Sequence, residues 1–150
     1  MAAIEISAGQ LDALIARVSR ASRAGVHELL DAVGQQQEDA ARKRITDTKK
    51  TPGGTSWKAW SLDYAKTRGS QHSLLQGEGD LADSMTHQLD VGSAAVEVGS
   101  PMVYAGAQLY GYEGIPAREY LDTDGGFADP EARDELRDIV ETWLSEAFAA

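Results

Sequence analysis

The chain has 150 residues, of which 42% are hydrophobic and 25% charged, and this is typical of one globular domain with a packed core. It contains no cysteine, which excludes a disulfide scaffold, a thiolate zinc site, an iron–sulfur cluster and a cysteine nucleophile. No apolar run approaches the roughly 18 residues of a membrane-spanning helix, and the N-terminus lacks the basic start and apolar core of a signal peptide. We therefore expect a single soluble domain over residues 1–150, made in a cytoplasm.

The net charge of −10 is divided unevenly along the chain. Residues 1–75 carry 11 Lys or Arg against 8 Asp or Glu, a net +3, whereas residues 76–150 carry 3 against 16, a net −13. The acidic total argues against non-specific nucleic-acid binding. The asymmetry has two interpretations: a head-to-tail contact between copies, in which a basic face meets an acidic face, or two solvated faces without a partner.

The N-terminal part of the chain is predicted to be mainly helical. Ile4–Ile6 alternates apolar and charged residues as a short strand does, and Ser7 is a candidate N-cap. From Leu11 an apolar stripe predicts a first helix that lapses around Ala21–Gly25, after which the stripe resumes as a second helix ending near Ile45. The basic residues at that end are explained by the favourable position of positive charge at a helix C-terminus.

Helical periodicity disappears over residues 46–79, which we predict to be an extended loop or arm within the domain. Trp57, Trp60 and Tyr64 lie in this stretch and are costly to leave in water. They have two interpretations. They close over the core of their own subunit, or they anchor the arm in a neighbouring subunit, since Trp and Tyr dominate interface hot spots.

The second half of the chain alternates short helical and extended patterns. Asp80–Met85 is typical of a helical turn that opens with an acidic N-cap. The alternation of apolar and polar residues over Met85–Val98, interrupted by Gly92-Ser93, predicts a β-hairpin. Tyr104–Tyr110 predicts one or two helical turns that end at Gly111.

The C-terminal part predicts a strongly amphipathic helix. Pro130 follows Asp129 in the favoured first position of a helix, and an apolar stripe runs from Leu136 to Phe148. Together the elements predict an α+β domain, in which helices flank a small antiparallel β-sheet and a long loop or arm lies in the middle.

No arrangement of residues predicts catalysis or cofactor binding. The histidines at 27, 72 and 87 lack the spacing of a metal-binding helix face. Asp122–Gly126 is superficially similar to a calcium loop but lacks a third ligand and the final glutamate. The glycine clusters match neither a dinucleotide fingerprint nor a phosphate loop, and there is no Gly-x-Ser-x-Gly elbow. We therefore expect no enzyme activity, no metal and no cofactor.

Several short motifs stand in a recognisable order along residues 10–148. They are Thr51–Trp57, Lys66-Thr67, Leu74–Met85, Val98–Ser100 and Tyr104-Ala105 with Gln108–Gly111, and Ile115–Leu121. In this order they resemble the bacteriophage Mu G-like virion morphogenesis family, which also includes tail-completion proteins of contractile-tailed phages. The chain departs from the family pattern at Ala107, where His is usual, at Glu119, where Pro is usual, and in an extra Gly-Gly after Pro52.

The resemblance implies a structural phage protein at the head–tail junction, a neck or tail-completion ring subunit needed for joining tail to head. A tail terminator capping the tail tube is the close alternative. A small non-virion binding or regulatory module and a hydrolase with a scattered site are the alternatives of other classes.

The expected location and partners follow from the same resemblance. The protein is expected in the virion after assembly in the host cell cytoplasm. Its expected partners are itself in a hexameric ring and other neck, tail-terminator or tail-tube proteins. No membrane and no sequence-specific nucleic acid is expected, although DNA passes through such a ring.

The residues expected to make these contacts are aromatic or apolar, with one arginine and one proline among them: Trp57, Trp60, Tyr64, Tyr104, Tyr110, Ile115, Pro116, Arg118 and Tyr120. Arg118 is expected to pair with a carboxylate, while Ile115, Tyr120 and the adjacent Leu121 pack on the terminal helix. An ordinary exposed arginine is the alternative.

Overall fold

The computed structural model of the protein describes residues 8–123 and 128–149. The predicted strand Ile4–Ile6 and the candidate cap Ser7 lie outside the described residues, as does most of the calcium-like loop. The described elements are five α-helices and one two-stranded antiparallel sheet. The predicted α+β fold is confirmed.

The first element is one long helix, α1, Ala8–Lys43, of 36 residues, about 54 Å at 1.5 Å per residue. The prediction of two helices separated around Ala21–Gly25 is therefore wrong. Gly25 is needed for packing and not for a break, since a Cβ atom built on it would lie 2.9 Å from the indole nitrogen of Trp143. The glycine lets the terminal helix approach α1 closely at a tolerable cost in helix propensity.

A π-helical turn, Arg44–Thr48, continues α1 and ends at Lys49, whose backbone is left-handed with φ of 54°. The Lys49 ammonium group donates to the Ile45 carbonyl, to the Leu74 carbonyl at 2.8 Å and to the Gln76 side-chain oxygen at 3.3 Å. This lysine therefore ties the far end of the arm to the end of α1.

The arm contains one short helix, α2, Leu62–Thr67. The rest of the segment is irregular, apart from isolated antiparallel bridges between Lys50 and Ser56 and between Ser73 and Gln76. The arm leads into α3, Asp80–Asp83, which is capped by Gly79 with φ of 98°. The expected acidic N-cap is thus wrong by one residue, since Asp80 lies inside the helix.

The predicted hairpin is confirmed as β1, Thr86–Asp90, and β2, Ala95–Gly99. Its antiparallel register pairs His87 with Val98 and Leu89 with Val96, and these four residues are the half-buried face. The hairpin packs closely on α1, because a Cβ atom on Gly34 would lie 2.6 Å from the His87 ring and 2.7 Å from Val96.

The last two helices are α4, Ala105–Tyr110, and α5, Pro130–Ala149. The predicted end of α4 at Gly111 is confirmed, with φ of 80°. Asp129 caps α5, since its Oδ1 accepts from the backbone N–H of Glu131 at 3.0 Å and of Ala132 at 3.2 Å. The predicted start of the terminal helix at Pro130 is confirmed.

The main core surrounds the C-terminal end of α1. It is closed by the arm, by α3 and α4, and by the segment before α5. Its buried members are Ala41, Ile45, Trp57, Leu81, Ala82, Met85, Ala105, Leu109 and Tyr120.

Candidate interaction surface

Two of the nine expected contact residues lie inside the core. Trp57 is only 6% exposed, and its indole N–H donates to the Glu119 carbonyl at 3.2 Å. Tyr120 is 1% exposed and donates its hydroxyl to the Ala105 carbonyl at 2.9 Å, while burial raises the pKa of Tyr120 to about 12. Trp57 therefore packs over the core of its own subunit, as the first interpretation expects. Because Trp57 and Tyr120 are both buried, they can affect a contact surface only by holding the exposed residues around them in place.

Arg118 is 5% exposed, and its partner is a backbone carbonyl. Its Nε and Nη2 donate to the carbonyl of Lys58 at 3.2 and 3.1 Å, and its backbone N–H donates to the Gln108 carbonyl at 2.8 Å. Burial lowers the pKa of Arg118. The expected carboxylate partner is wrong, and Arg118 instead clamps the arm to the segment that follows α4.

The expected packing of the Ile115–Leu121 segment on the terminal helix is also wrong. Tyr120 belongs to the core around Ile45, and Leu121 packs against the same core. Ile115 is 39% exposed and forms a backbone bridge with Tyr112. The segment lies on the core because the Arg44 guanidinium holds the Tyr120 carbonyl at 3.1 Å.

A second group of aromatic residues lies further along the arm, where Trp60 is half-buried and Tyr64 is exposed. The rings of Trp60 and Tyr64 meet edge to face, with centroids 5.8 Å apart. The Arg68 guanidinium lies 5.8 Å from the Trp60 centroid and 5.6 Å from the Tyr64 centroid. Such stacking and cation–π contacts order a segment that has little core of its own.

Alongside this cluster the arm exposes apolar surface. Leu62 is 83% exposed and Tyr64 48% exposed. We call the outward-facing side chains Lys58, Leu62, Tyr64 and Lys66 the arm face. Leu62 was not among the expected contact residues, because no helix was predicted here. Ser61 is the signal for that helix: it is an N-cap residue whose hydroxyl accepts from the Tyr64 backbone N–H at 3.3 Å.

The remaining expected residues lie at the start of α4, at its end and in the loop after it. Tyr104 and Tyr110 are exposed, Ile115 is at the border of exposure, and Pro116 is half-buried. Exposed Val103 and Tyr112 belong to the same region and were missed. Because Arg118 bonds to the arm at Lys58 and to α4 at Gln108, it joins this region to the arm.

Charged groups hold the other elements on α1. A part-buried ion pair joins buried Arg44 to half-buried Asp129 at 2.7 Å, and Lys43 pairs with Glu131 at 2.7 Å. These residues line a shallow cavity of about 130 Å³ between α1 and α5. Since both cations are engaged by neighbouring carboxylates, the cavity is a structural junction.

The hairpin is held by His87. Its Nδ1 lies 2.6 Å from Glu38 and its Nε2 lies 3.1 Å from Asp31, and Arg42 also pairs with Glu38. The hydrogen bond with Glu38 raises the pKa of His87. This contact joins the sheet to α1 and stabilises the fold when His87 is protonated.

Within residues 8–123 and 128–149, no group of three His, Cys, Asp or Glu side chains is arranged to hold a metal ion. Over the same residues, no helix combines the length and apolarity needed to cross a membrane. The surface feature that stands out is therefore the ordered, outward-facing arm.

Comparison with known proteins agrees with the order of motifs along the chain. Searches of curated proteins and of solved structures found no match. The sequence model that represents the phage virion morphogenesis family matches residues 6–145. This match confirms the virion morphogenesis resemblance, while the narrower likeness to Mu G-like proteins stays a prediction. The family implies a structural or assembly role in the phage virion. The chain belongs to the phage virion morphogenesis family.

Proposed function

We propose that the chain is a ring subunit at the junction of phage head and tail, where it completes the tail and joins it to the head. The observation that carries the proposal is the arm. Trp60, Tyr64 and Arg68 order it by stacking, and Arg118 clamps it to the body, yet it leaves apolar side chains exposed. Such surface is typical of a protein that works by contact with partners.

In this proposal the protein acts through contacts alone, without catalysis or a cofactor. A tail has rotational symmetry, and a repeated contact between two different faces of one subunit closes into a ring when the rotation allows it. We propose a hexameric ring that also contacts other neck, tail-terminator or tail-tube proteins, with DNA passing through it.

The test is deletion of the coding sequence from the phage genome, followed by electron microscopy of lysates. We expect DNA-filled heads and finished tails of normal length that remain separate. Overlong tails would identify a tail terminator instead. Normal, infectious virions would refute a role at the junction and favour a regulatory module.

Complementation of the deletion tests the arm itself. Leu62→Asp with Tyr64→Asp is expected to abolish head–tail joining, because charge replaces exposed apolar contact area. The matched control is Val91→Asp, since Val91 is 65% exposed on the hairpin turn and lies outside the arm. The control is expected to restore virion yield, and equal yields from the two variants would contradict a function of the arm.

A further inference from the structure

We propose that the arm face of one subunit docks on the outward, acidic face of α5 of a second copy of this chain. The inference rests on the proposed ring, and it names the two surfaces that form the repeated contact. It goes beyond the ring itself, because many other pairs of faces are compatible with a ring.

The arm supplies positive charge and apolar contact area together. Residues 46–79 carry five Lys or Arg against three acidic residues, Asp47, Asp63 and Glu78, a net charge of +2. Lys49 is engaged internally, whereas Lys58 and Lys66 are exposed. Lys66 lies one turn from Leu62 on α2, and its pair with Asp63 at 3.3 Å is fully on the surface, where such a pair contributes about 0–1 kcal/mol and can exchange for another carboxylate.

The middle of α5 supplies the opposite charge. Near the start of the helix, Glu131 pairs with Lys43 and Asp134 with Arg137. Further along, Asp138 and Glu141 are exposed, and no ion pair engages them among the described side chains. These exposed carboxylates are free to meet a cation from outside the subunit.

Helical geometry places these carboxylates away from α1. Leu136 is buried, and Asp138 and Glu141 lie about 140–200° around the helix from it at 100° per residue. The exposed part of Leu144, 41%, adds some apolar area about one turn beyond Glu141. The outward face of α5 thus offers both kinds of contact that the arm face requires.

A second copy is the partner that this complementarity fits. Each copy carries one basic arm and one acidic helix face, so every docking event leaves a further arm and a further α5 available. A contact between two different faces of the same chain is heterologous, and its repetition builds a ring or a filament. Complementary charge fixes the register of such a contact and speeds its formation.

Charge reversal with mutual rescue tests the contact. The arm-reversed chain carries Lys58→Glu and Lys66→Glu, and the helix-reversed chain carries Asp138→Lys and Glu141→Lys. Virion yield after complementation of the deletion is the readout, because it does not require the free protein to assemble. Either chain alone is expected to lower the yield tenfold or more, since two attractive pairs become repulsive.

Rescue distinguishes the proposed contact from general damage. In a mixture, the acidic arm of one chain meets the basic helix of the other, and the basic arm meets the acidic helix, so alternating copies close an even-numbered ring. Co-expression of both chains, or one chain with all four reversals, is expected to restore the yield. Glu28→Lys with Glu97→Lys is the control, since both residues are exposed on other surfaces, and it should leave the yield unchanged.

Each outcome decides the inference. Full yield from both reversed chains would overturn the arm–α5 contact. So would absence of rescue, both in the mixture and in the fourfold variant, when the thermal midpoints of the variants match that of the wild type. A non-self partner of the arm would give this second pattern. The proposed function stands or falls separately, because deletion of the chain tests it without reference to any charge.

Discussion

Replacing Arg118 with alanine removes the clamp that holds the arm to the body of the protein. The wild-type guanidinium makes two hydrogen bonds to the Lys58 carbonyl in a site that leaves Arg118 only 5% exposed. Hydrogen bonds to charged groups contribute about 1.5–3 kcal/mol. Because the two donors share one acceptor, we expect the pair to contribute at the scale of one such bond, about 2 kcal/mol. For a domain of this size, that corresponds to a fall of about 4–8 °C in the melting temperature.

Denaturant unfolding measures this loss in free energy, and limited trypsin digestion locates it. Lys58 and Lys66 are exposed trypsin sites in the arm, and 2 kcal/mol corresponds to about a 30-fold larger open population if the loss is confined to the arm. Arg137→Ala is the matched control, because its pair with Asp134 is exposed and contributes about 0–1 kcal/mol.

Two results would refute the clamp. A loss equal to that of Arg137→Ala would mean that the bonds to Lys58 contribute nothing measurable. A loss of about 3–5 kcal/mol would indicate that the arginine neutralises a buried carboxylate instead. Arg118→Lys is expected to recover only part of the stability, since an ammonium group lacks the planar fork of donors.

The other predictions concern how α1 holds its neighbours. Thermal melts of Gly34→Ala are expected to show a destabilisation of about 1–3 kcal/mol, because the added methyl group clashes with the hairpin. Gly9 has open space around it, so Gly9→Ala should stabilise the protein by up to about 1 kcal/mol in the same experiment. Protonated His87 stabilises the fold, because its pKa is raised by its carboxylate partners. This contribution is fully present below the unfolded pKa of about 6.5, and it is lost as the pH rises through the folded pKa. The difference in free energy of unfolding between the wild type and His87→Gln should therefore shrink as the pH rises over that range. Asp129→Asn keeps a capping oxygen but leaves the buried Arg44 guanidinium without its carboxylate, and denaturant unfolding should show a loss of about 3 kcal/mol; a loss below 1 kcal/mol would contradict the importance of the pair.

The elements that could be predicted from the sequence are those whose signals are local. Asp129 and Pro130 define the start of α5 by capping chemistry, and the period-two alternation around Gly92-Ser93 defines the hairpin. The length of α1 could not be predicted in the same way. Gly25 has the local signature of a break, and the reason that it is not one is Trp143, a contact made 118 positions further along the chain.

The surface was harder to predict than the fold. Trp57 and Trp60 stand three residues apart in an aperiodic segment. Only the three-dimensional path of the arm places Trp57 in the core and leaves Trp60 half-buried beside Tyr64. The partner of Arg118 is a backbone carbonyl, and backbone acceptors have no signature in the sequence. A carboxylate was the expected partner, because Asp and Glu can be recognised in a sequence, whereas every residue carries a backbone carbonyl.

Electron cryo-microscopy of purified virions, with this chain identified by a label, tests the central claim most directly. The label should appear as a closed ring of copies at the junction between the head and the tail. Its absence from virions, or its appearance only on the capsid shell or at the distal end of the tail, would contradict the assignment to the head–tail junction.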